Sequence, residues 1–194
     1  MYTNSFTIAI EHSMLYEVGS FWQLTPEVEQ GLVGTKAQRR AVGYVDDPMD
    51  RGGETKFGIA KNANPDVDIY NLTWDEAKTI YFHRYWLAGS CDQLPNRVAV
   101  LHFDCCVNHG VGRANKFLQL ALNLDADGVI GNHTLEAANN EDPIATCEAI
   151  CEQRAQFYQD IVQRKPNQAR FLQGWLRRCD EMREFTCDPN MDFS

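Results

Sequence analysis

The stretch YVDDPMDRGGETKFGI, residues 44–59, carries more chemically distinctive residues than any other segment of this chain. Three acidic residues precede the Gly52-Gly53 pair, an acid and a hydroxyl follow it, and Gly58-Ile59 closes the run. Paired glycines allow positive φ angles and a close approach of the backbone to a ligand, and an Asp-Pro step favours a turn. Taken alone, the stretch is either a solvated acidic turn or one wall of a binding site.

The length and composition indicate a soluble globular protein. A chain of 194 residues can form one well-buried domain or a compact domain of two lobes. No apolar run approaches the roughly 20 residues that span a bilayer. The N-terminal residues lack the basic start and apolar core of a secretory signal. We therefore expect synthesis in the cytoplasm and no membrane insertion.

The net charge of −9 is spread evenly along the chain, with −5 in residues 1–95 and −4 in residues 96–194. Binding to nucleic acid depends on basic clusters that release counterions from phosphates. The even acidic balance therefore excludes nucleic acid and anionic membrane surfaces from the expected partners.

The seven cysteines are an odd number, and no two of them have the CxxC spacing typical of zinc sites. Cys147 and Cys151 lie four residues apart on an apolar helix face, and free cysteine is among the most buried residue types. The NLDADG turn at 123–128 resembles a calcium loop, but its twelfth position is Thr134 where a Glu is required. We expect reduced core thiols, no metal and no cofactor, with a disulfide as the alternative.

Hydrophobic periodicity predicts a mainly α fold with a small hairpin near residues 43–59. Phe6, Ile10, Met14 and Val18 recur at four-residue steps in a first helix, for which Asn4 or Ser5 is the expected N-cap. Further helices are predicted near residues 73–87, 97–106, 113–122, 142–162 and 168–185. In the segment 20–43, Thr25-Pro26 opens a short helix, and the part from Gly31 to Arg40 is interpreted as a flexible loop.

The first helix ends with an acid, Glu17, in its last turn. A negative charge at the C-terminal end of a helix opposes the helix dipole and is locally unfavourable. A residue that breaks a local rule in this way indicates a functional role.

Several motifs in order resemble glycoside hydrolase family 108, the phage and bacterial N-acetylmuramidases. The run Asp47-Pro48, Asp50, Gly52-Gly53, Thr55 and Gly58-Ile59 is similar to the family's D-P-x-D-x-G-G-x-T-x-x-G-I pattern. YFHRYW resembles its Tyr-Trp helix. Four later pieces resemble the peptidoglycan-binding region that accompanies this catalytic part: FDCCVNHG (103–110), RANKFLQLAL (113–122), DGVIGNHT (127–134) and GWLRR (174–178).

The chain departs from the family pattern at its start. The family's Glu directly precedes a Gly-Gly-Tyr motif, whereas Glu17-Val18-Gly19 is separated from Gly43-Tyr44 by the insertion, residues 20–43. Without the insertion, Asp50 would follow Glu17 by nine positions, similar to the spacing in phage-type lysozymes. Glu27 and Glu29, inside the insertion, remain alternatives for the acid. We expect the insertion to form a lid or cleft wall, with Phe21, Trp22 and its basic residues facing substrate.

The resemblance implies a lysozyme-like, two-lobed helical fold. Residues 1–95 would form a catalytic muramidase lobe that includes the insertion. Residues 96–186 would form a helical peptidoglycan-binding lobe, and residues 187–194 a loose tail.

The implied function is an endolysin-type N-acetylmuramidase that hydrolyses the β-1,4 bond between N-acetylmuramic acid and N-acetylglucosamine. Glu17 would be the general acid, Asp50 the second carboxylate, and Thr55 would hold the water. Candidate sugar-binding residues are Tyr44, Gly52, Gly53 and Asn108.

The implied setting is lysis of a host bacterium. A monomeric enzyme made in the host cytoplasm would act on peptidoglycan in the periplasm with the help of a separate holin. The disrupted motif leaves an alternative open: a non-catalytic peptidoglycan-binding protein of a virion or cell wall. A cysteine amidase is a third hypothesis.

Overall fold

A computed structural model describes residues 2–47 and 53–194. The chain divides into two compact units, one formed by Met1–Ala9 with Arg84–Ser194 and the other by Ile10–His83. The expected mainly α class is confirmed, since helices account for most of the described residues and the sheet among them has two short strands. The functional division near residue 95 stays a prediction. Within the described ranges, no helix has the length and apolarity needed to cross a membrane.

Helix α1, Asn4–Glu17, ends at the acid that the sequence singled out. Its start differs from the prediction, because the Thr3 hydroxyl, one residue earlier, accepts a hydrogen bond from the Phe6 amide at 3.2 Å. Thr3 therefore fills the N-cap role expected of Asn4 or Ser5.

The insertion contains two helices, α2 (Pro26–Glu29) and α3 (Lys36–Ala41). Thr25 caps α2, with proline at its first position as predicted. The prediction of a flexible loop from Gly31 to Arg40 is wrong, because Thr35 and Gln38 form a capping box that starts α3. That box was present in the sequence and was missed.

The predicted hairpin consists of β1 (Thr55–Lys56) and β2 (Ile59–Ala60), which pair antiparallel with Lys56 opposite Ile59. The turn between them is Phe57-Gly58, and both residues have positive φ, 52° and 74°. Two-residue hairpins favour this conformation because its twist matches that of the strands. On the other edge, Val45 forms an isolated bridge with Thr55.

Helix α4, Trp74–Tyr81, begins at the predicted capping box, in which Thr73 and Glu76 bond reciprocally. It continues as a π-helical turn over Phe82–Leu87, so the helical segment ends at Leu87, as expected. The Tyr81 hydroxyl donates a hydrogen bond to the Phe57 carbonyl at 2.9 Å, which holds the hairpin turn against this helix.

After Leu87 the larger unit continues with five further helices and two short 3₁₀ turns. They are a 3₁₀ turn at Cys91–Gln93, α5 (Asn96–His109), α6 (Val111–Ala121), α7 (Asn132–Asn140), α8 (Pro143–Arg164), a 3₁₀ turn at Pro166–Gln168 and α9 (Ala169–Cys187). A buried ion group ties three of them together. Asp104 of α5 accepts hydrogen bonds from Arg154 of α8 at 2.9 Å and from Arg178 of α9 at 2.7 Å.

The C-terminal tail differs from the expected loose segment. Phe193 is buried and packs against Phe185 at 5.4 Å between ring centroids. The Arg97 guanidinium lies 4.8 Å from the Phe193 ring and donates hydrogen bonds to the carbonyls of Asp188 and Met191. An aromatic residue so near the end of the chain gives no periodic signal, which is why the sequence did not indicate this anchor.

Candidate active site

The candidate site is centred on Glu17 and the glycine of the hairpin turn. A methyl group built on Gly58 would lie 3.3 Å from Glu17 Oε2, 3.0 Å from Glu17 Cβ and 2.6 Å from the Tyr81 hydroxyl oxygen. A side chain at position 58 would therefore displace both neighbours. Gly58 is required here both by its positive φ and by this close approach, and it lets the half-buried carboxylate lie directly against the turn.

The two halves of the interrupted motif meet in space. A Cβ built on Gly43 would lie 3.4 Å from the Val18 Cα and 3.4 Å from one of the Val18 methyl groups. Gly43 has a φ of 61°, which favours glycine at this point. The chain thus leaves after Gly19 and returns beside Val18, so the insertion begins and ends next to Glu17.

Tyr44 and Glu54 form a polar pair at the entry to the hairpin. The Tyr44 hydroxyl donates to Glu54 Oε1 at 2.7 Å, and its ring meets Tyr70 edge-on with centroids 6.0 Å apart. Burial and the Glu54 carboxylate raise the pKa of Tyr44 to about 12. The phenol therefore stays protonated and fixes the orientation of Glu54, an acid for which the sequence indicated no role.

Thr55 is half-buried on β1, and its hydroxyl donates to the Gly53 carbonyl at 3.3 Å. The next residue, Lys56, is fully buried, and its ammonium group donates to the Tyr70 carbonyl at 2.6 Å. Burial lowers the pKa of Lys56 to about 8. Successive strand residues face opposite sides, so Thr55 lies on the side of the hairpin away from this buried cation.

Two family models match the chain in tandem. Residues 37–110 match glycosyl hydrolase 108, and residues 113–180 match a predicted peptidoglycan domain. The resemblance drawn from the motifs is confirmed, and the protein is a glycoside hydrolase that acts on peptidoglycan.

One solved structure is similar over nearly the whole length. SagA of Brucella abortus superposes with a TM-score of 0.66 at 26% sequence identity, over 96% of this chain and 98% of that chain. No curated protein sequence matches the chain at a significant level. The glycosyl hydrolase 108 match begins at residue 37, so Glu17 is brought to the matched run by the fold and lies outside the matched residues.

The insertion is more deeply integrated than a lid would be. Its Val28 and Val33 are buried, and Trp22 packs on Trp74 and Phe57 with ring centroids 4.8 and 6.3 Å away. Trp22 is half-buried and packs within its own unit, and its contact with substrate stays a prediction. Phe21, by contrast, is exposed.

Basic residues of α3 contact the aromatic rings nearby. The Arg40 guanidinium lies 3.7 Å from the Phe21 ring centroid, and the Arg39 guanidinium lies 5.4 Å from that of Tyr44. Cation–π contacts of this kind hold a basic group and an aromatic face together. Phe21 and Arg40 are thus the part of the insertion that presents an aromatic and basic surface.

The rival acids lie on α2. Both Glu27 and Glu29 are exposed, and Glu27 borders a cavity of about 310 Å³ between α2 and α3. Apolar and neutral residues of the insertion form the rest of its lining, among them Val28, Leu32 and Val42.

The remaining candidate residues fall in three places. Asp50 and Gly52 lie outside the described residues. Gly53 has a φ of 70° and lies next to the Asn62 side chain. Asn108 belongs to the larger unit, where its side-chain oxygen accepts a hydrogen bond from the Tyr158 hydroxyl at 2.8 Å.

Sequence reasoning missed Tyr81 and the role of Gly58. The sequence indicated Tyr81 only as part of the YFHRYW run, because apolar periodicity cannot show where a hydroxyl points. The Gly58-Ile59 pair was part of the recognised motif, and the positive φ of the turn gives the physical reason for that glycine.

Proposed function

We propose that this glycoside hydrolase is an N-acetylmuramidase that cleaves the β-1,4 bond between N-acetylmuramic acid and N-acetylglucosamine, with Glu17 as its general acid. The observation that carries the proposal is the contact of the Glu17 carboxylate with the Gly58 turn, which belongs to the glycosyl hydrolase 108 segment. The following peptidoglycan domain supports the choice of polymer.

The surroundings of Glu17 suit a group that gives up a proton. Glycoside cleavage needs a carboxylic acid at the leaving oxygen and a second group on the sugar's other side. The Gly58 turn is itself fixed in place, because the Tyr81 hydroxyl donates a hydrogen bond to the Phe57 carbonyl at 2.9 Å.

The other roles follow from position in the chain. Asp50 is the proposed second carboxylate, since it precedes Gly53 in the recognised run. Thr55 is proposed to position the attacking water, and its lone pairs remain available when its proton is bonded to the Gly53 carbonyl. Tyr44, Gly52, Gly53 and Asn108 are the proposed sugar contacts.

Replacing Glu17 by Gln tests the proposal, because the amide keeps the shape and removes the transferable proton. We expect a loss of about 10²–10⁴-fold in the rate of muropeptide release from purified peptidoglycan, followed by mass spectrometry. The matched control is Glu11→Gln, an exposed acid on the same helix, which should keep the parental rate.

The melting temperature of Glu17→Gln should stay close to that of the parent. A variant that keeps more than about a tenth of the rate would rule out Glu17 as the acid and direct attention to Glu27 and Glu29. Products with reducing ends on N-acetylglucosamine in place of N-acetylmuramic acid would overturn the bond assignment while leaving the hydrolase intact.

We further propose that the enzyme is an endolysin: a monomer that reaches the periplasmic cell wall through a separate holin and lyses the host. The support is the pairing of a glycosyl hydrolase with a peptidoglycan domain in one chain. In the same assay series, chloroform-permeabilised Gram-negative cells should clear and intact cells should not. Equal clearing of intact cells would contradict the need for a partner.

A further inference from the structure

Three side chains with soft ligand atoms meet in the core of the larger unit. Cys91, His102 and Cys106 are fully buried, and one ligand atom from each lies within 4.8 Å of the other two. Cys91 begins a 3₁₀ turn, while His102 and Cys106 lie one helical turn apart on the same face of α5. Three potential metal ligands therefore converge from two elements.

Hydrogen bonds around His102 determine which of its nitrogens can bind a metal. The Asn115 amide nitrogen donates to the Gly128 carbonyl at 2.9 Å, so the Asn115 oxygen must be the atom that faces His102 Nε2 at 3.1 Å. An oxygen can only accept, so Nε2 carries the proton of the neutral ring. The lone pair is then on Nδ1, the nitrogen that is left for the thiols.

This arrangement is the one that metal-binding histidines adopt in proteins. Such a histidine donates its second ring N–H to an oxygen acceptor, which fixes the tautomer and the ring orientation. Nδ1 is buried and has no hydrogen bond of ordinary geometry among the described residues, while the Cys106 side chain and the Gly89 backbone lie beside the ring. A buried imidazole nitrogen with its lone pair held in place is costly unless it gains a partner.

Because Gly89 has no side chain, the sulfurs of Cys91 and Cys106 can lie close to its backbone. A Cβ built on Gly89 would lie 2.8 Å from Cys106 Sγ and 3.4 Å from Cys91 Sγ. Any larger residue at position 89 would push Cys106 Sγ out of its present place. The backbone at Gly89 therefore closes one side of the group of ligand atoms.

We propose that Cys91, His102 and Cys106 bind one Zn²⁺ ion that staples this unit together. Two thiols would lose their protons on binding, and two thiolates with a neutral imidazole balance the charge of a divalent cation. That neutrality matters because burying a net charge is costly. Tetrahedral zinc with Zn–S bonds of about 2.3 Å has its sulfurs about 3.8 Å apart, and the three ligand atoms here lie within 4.8 Å of one another.

The fourth position is not filled by a side chain. Among residues 2–47 and 53–194, no further His, Cys, Asp or Glu joins the group. A backbone carbonyl or a water would complete the coordination. The sequence predicted no metal because it was searched for local spacings, and Cys91 precedes His102 by eleven residues with a helix start between them.

The ion would link several separate segments. It would join the 3₁₀ turn at Cys91–Gln93 to α5, and the Asn115 contacts would extend that link to α6 and to the loop at Gly128. Because the ligands converge only in the folded chain, the binding free energy of the metal adds to folding stability. The proposed site is a structural zinc site. It precedes the matched peptidoglycan domain in the chain and takes no part in the hydrolysis.

The test begins with metal content and thermal stability of the full-length protein, purified under reducing conditions. Inductively coupled plasma mass spectrometry should find about one zinc per chain after incubation with Zn²⁺ and gel filtration. Returning zinc to chelator-treated protein, at about a hundredfold its Kd, should raise Tm by about 5–10 °C. Cobalt in place of zinc should give the charge-transfer absorption of thiolate ligands.

Adjacent cysteines on α5 provide the matched pair of variants. Both Cys105 and Cys106 are fully buried, and only Cys106 belongs to the group. Cys106→Ala should lose the zinc and the Tm shift, whereas Cys105→Ala should keep both. Equal loss in the two variants would overturn the assignment.

The wild-type protein alone can also refute the site, which keeps the proposal testable if Cys106→Ala does not fold. Absence of bound zinc and of cobalt charge transfer would overturn it. A second result would also overturn the site. If metal-free, air-exposed protein has two fewer titratable thiols, and reduction does not restore zinc binding, then Cys91 and Cys106 serve as a disulfide pair.

Discussion

Asp104 and Glu17 show how differently the two units of this enzyme surround a carboxylate. Asp104 is 1% exposed and lies between the guanidinium groups of Arg154 and Arg178. Burial alone would raise the pKa of Asp104, but the two arginines lower it below its usual value. Glu17 is half-buried and lies at the Gly58 turn.

The contrast separates a structural charge from a chemical one. A carboxylate paired with two cations is stabilised in its ionised form and has no tendency to exchange a proton. Glu17 lies at the Gly58 turn of the matched glycosyl hydrolase segment, where the proposed chemistry takes place. Replacing Asp104 should therefore lower the free energy of unfolding, and replacing Glu17 should lower the rate of hydrolysis.

The largest stability effect is expected from Asp104→Asn. Removing one member of a buried ion group leaves the other charges uncompensated, which costs about 3–5 kcal/mol. Urea unfolding followed by far-UV circular dichroism measures the loss, and Asp180→Asn, an exposed acid on α9, is the control. A loss below about 1 kcal/mol, the range of an exposed ion pair, would show that the group does not hold the helices together.

A smaller loss of stability is expected when the pH is lowered, and it arises from His109 in the same unit. Burial and the nearby Arg154 lower the pKa of His109 to about 3, from an ordinary value of 6.5. The folded state therefore keeps this ring neutral. Below pH 6.5 the unfolded chain binds a proton that the folded chain does not, so stability is present above pH 6.5 and falls as the pH drops towards 3.

The size of this effect is about 2 kcal/mol between pH 7 and pH 5. His109→Phe removes the titrating group and keeps a ring among Phe117, Phe157 and Tyr158. The difference in unfolding free energy between the wild type and this variant should shift by that amount over the two pH units. Parallel pH profiles for the two proteins would show that His109 does not stay neutral in the fold.

The parts of the fold that sequence predicted are those that local chemistry determines. The end of α1 at Glu17 and the capping box at Thr73 follow from residues within one or two helical turns of each other. The hairpin follows from a glycine two positions after Thr55-Lys56, where positive φ is required. Each of these signals can be read in a short window.

The parts that sequence did not predict depend on residues far apart in the chain. Tyr81 reaches the hairpin turn across 24 residues, and Arg97 binds carbonyls about 90 residues away. The sequence predicted that the insertion is a lid or cleft wall and did not show that it supplies buried valines and packs Trp22 on Trp74. Deleting the insertion would remove core residues, and loss of folding is the expected outcome.

The smallest stability effect, and the sharpest test of the comparison, is expected from Gly58→Ala. A φ of 74° costs an alanine about 1–2 kcal/mol. The added methyl would also overlap the Tyr81 hydroxyl and press on Glu17. Since misplacing a catalytic group by about 1 Å can cost on the order of a hundredfold, we expect muropeptide release per folded molecule to fall at least about tenfold.

Gly110→Ala separates the two contributions. Gly110 has a similar φ of 79°, but a methyl group there meets no atom of the described residues within 4 Å. Both variants should lose stability in urea unfolding, because both impose strain on the backbone. Only Gly58→Ala should also lose rate, because only there does the methyl reach Glu17. If Gly58→Ala retains the parental rate per folded molecule, the turn does not position Glu17, and the contact on which the proposed acid rests has no catalytic consequence.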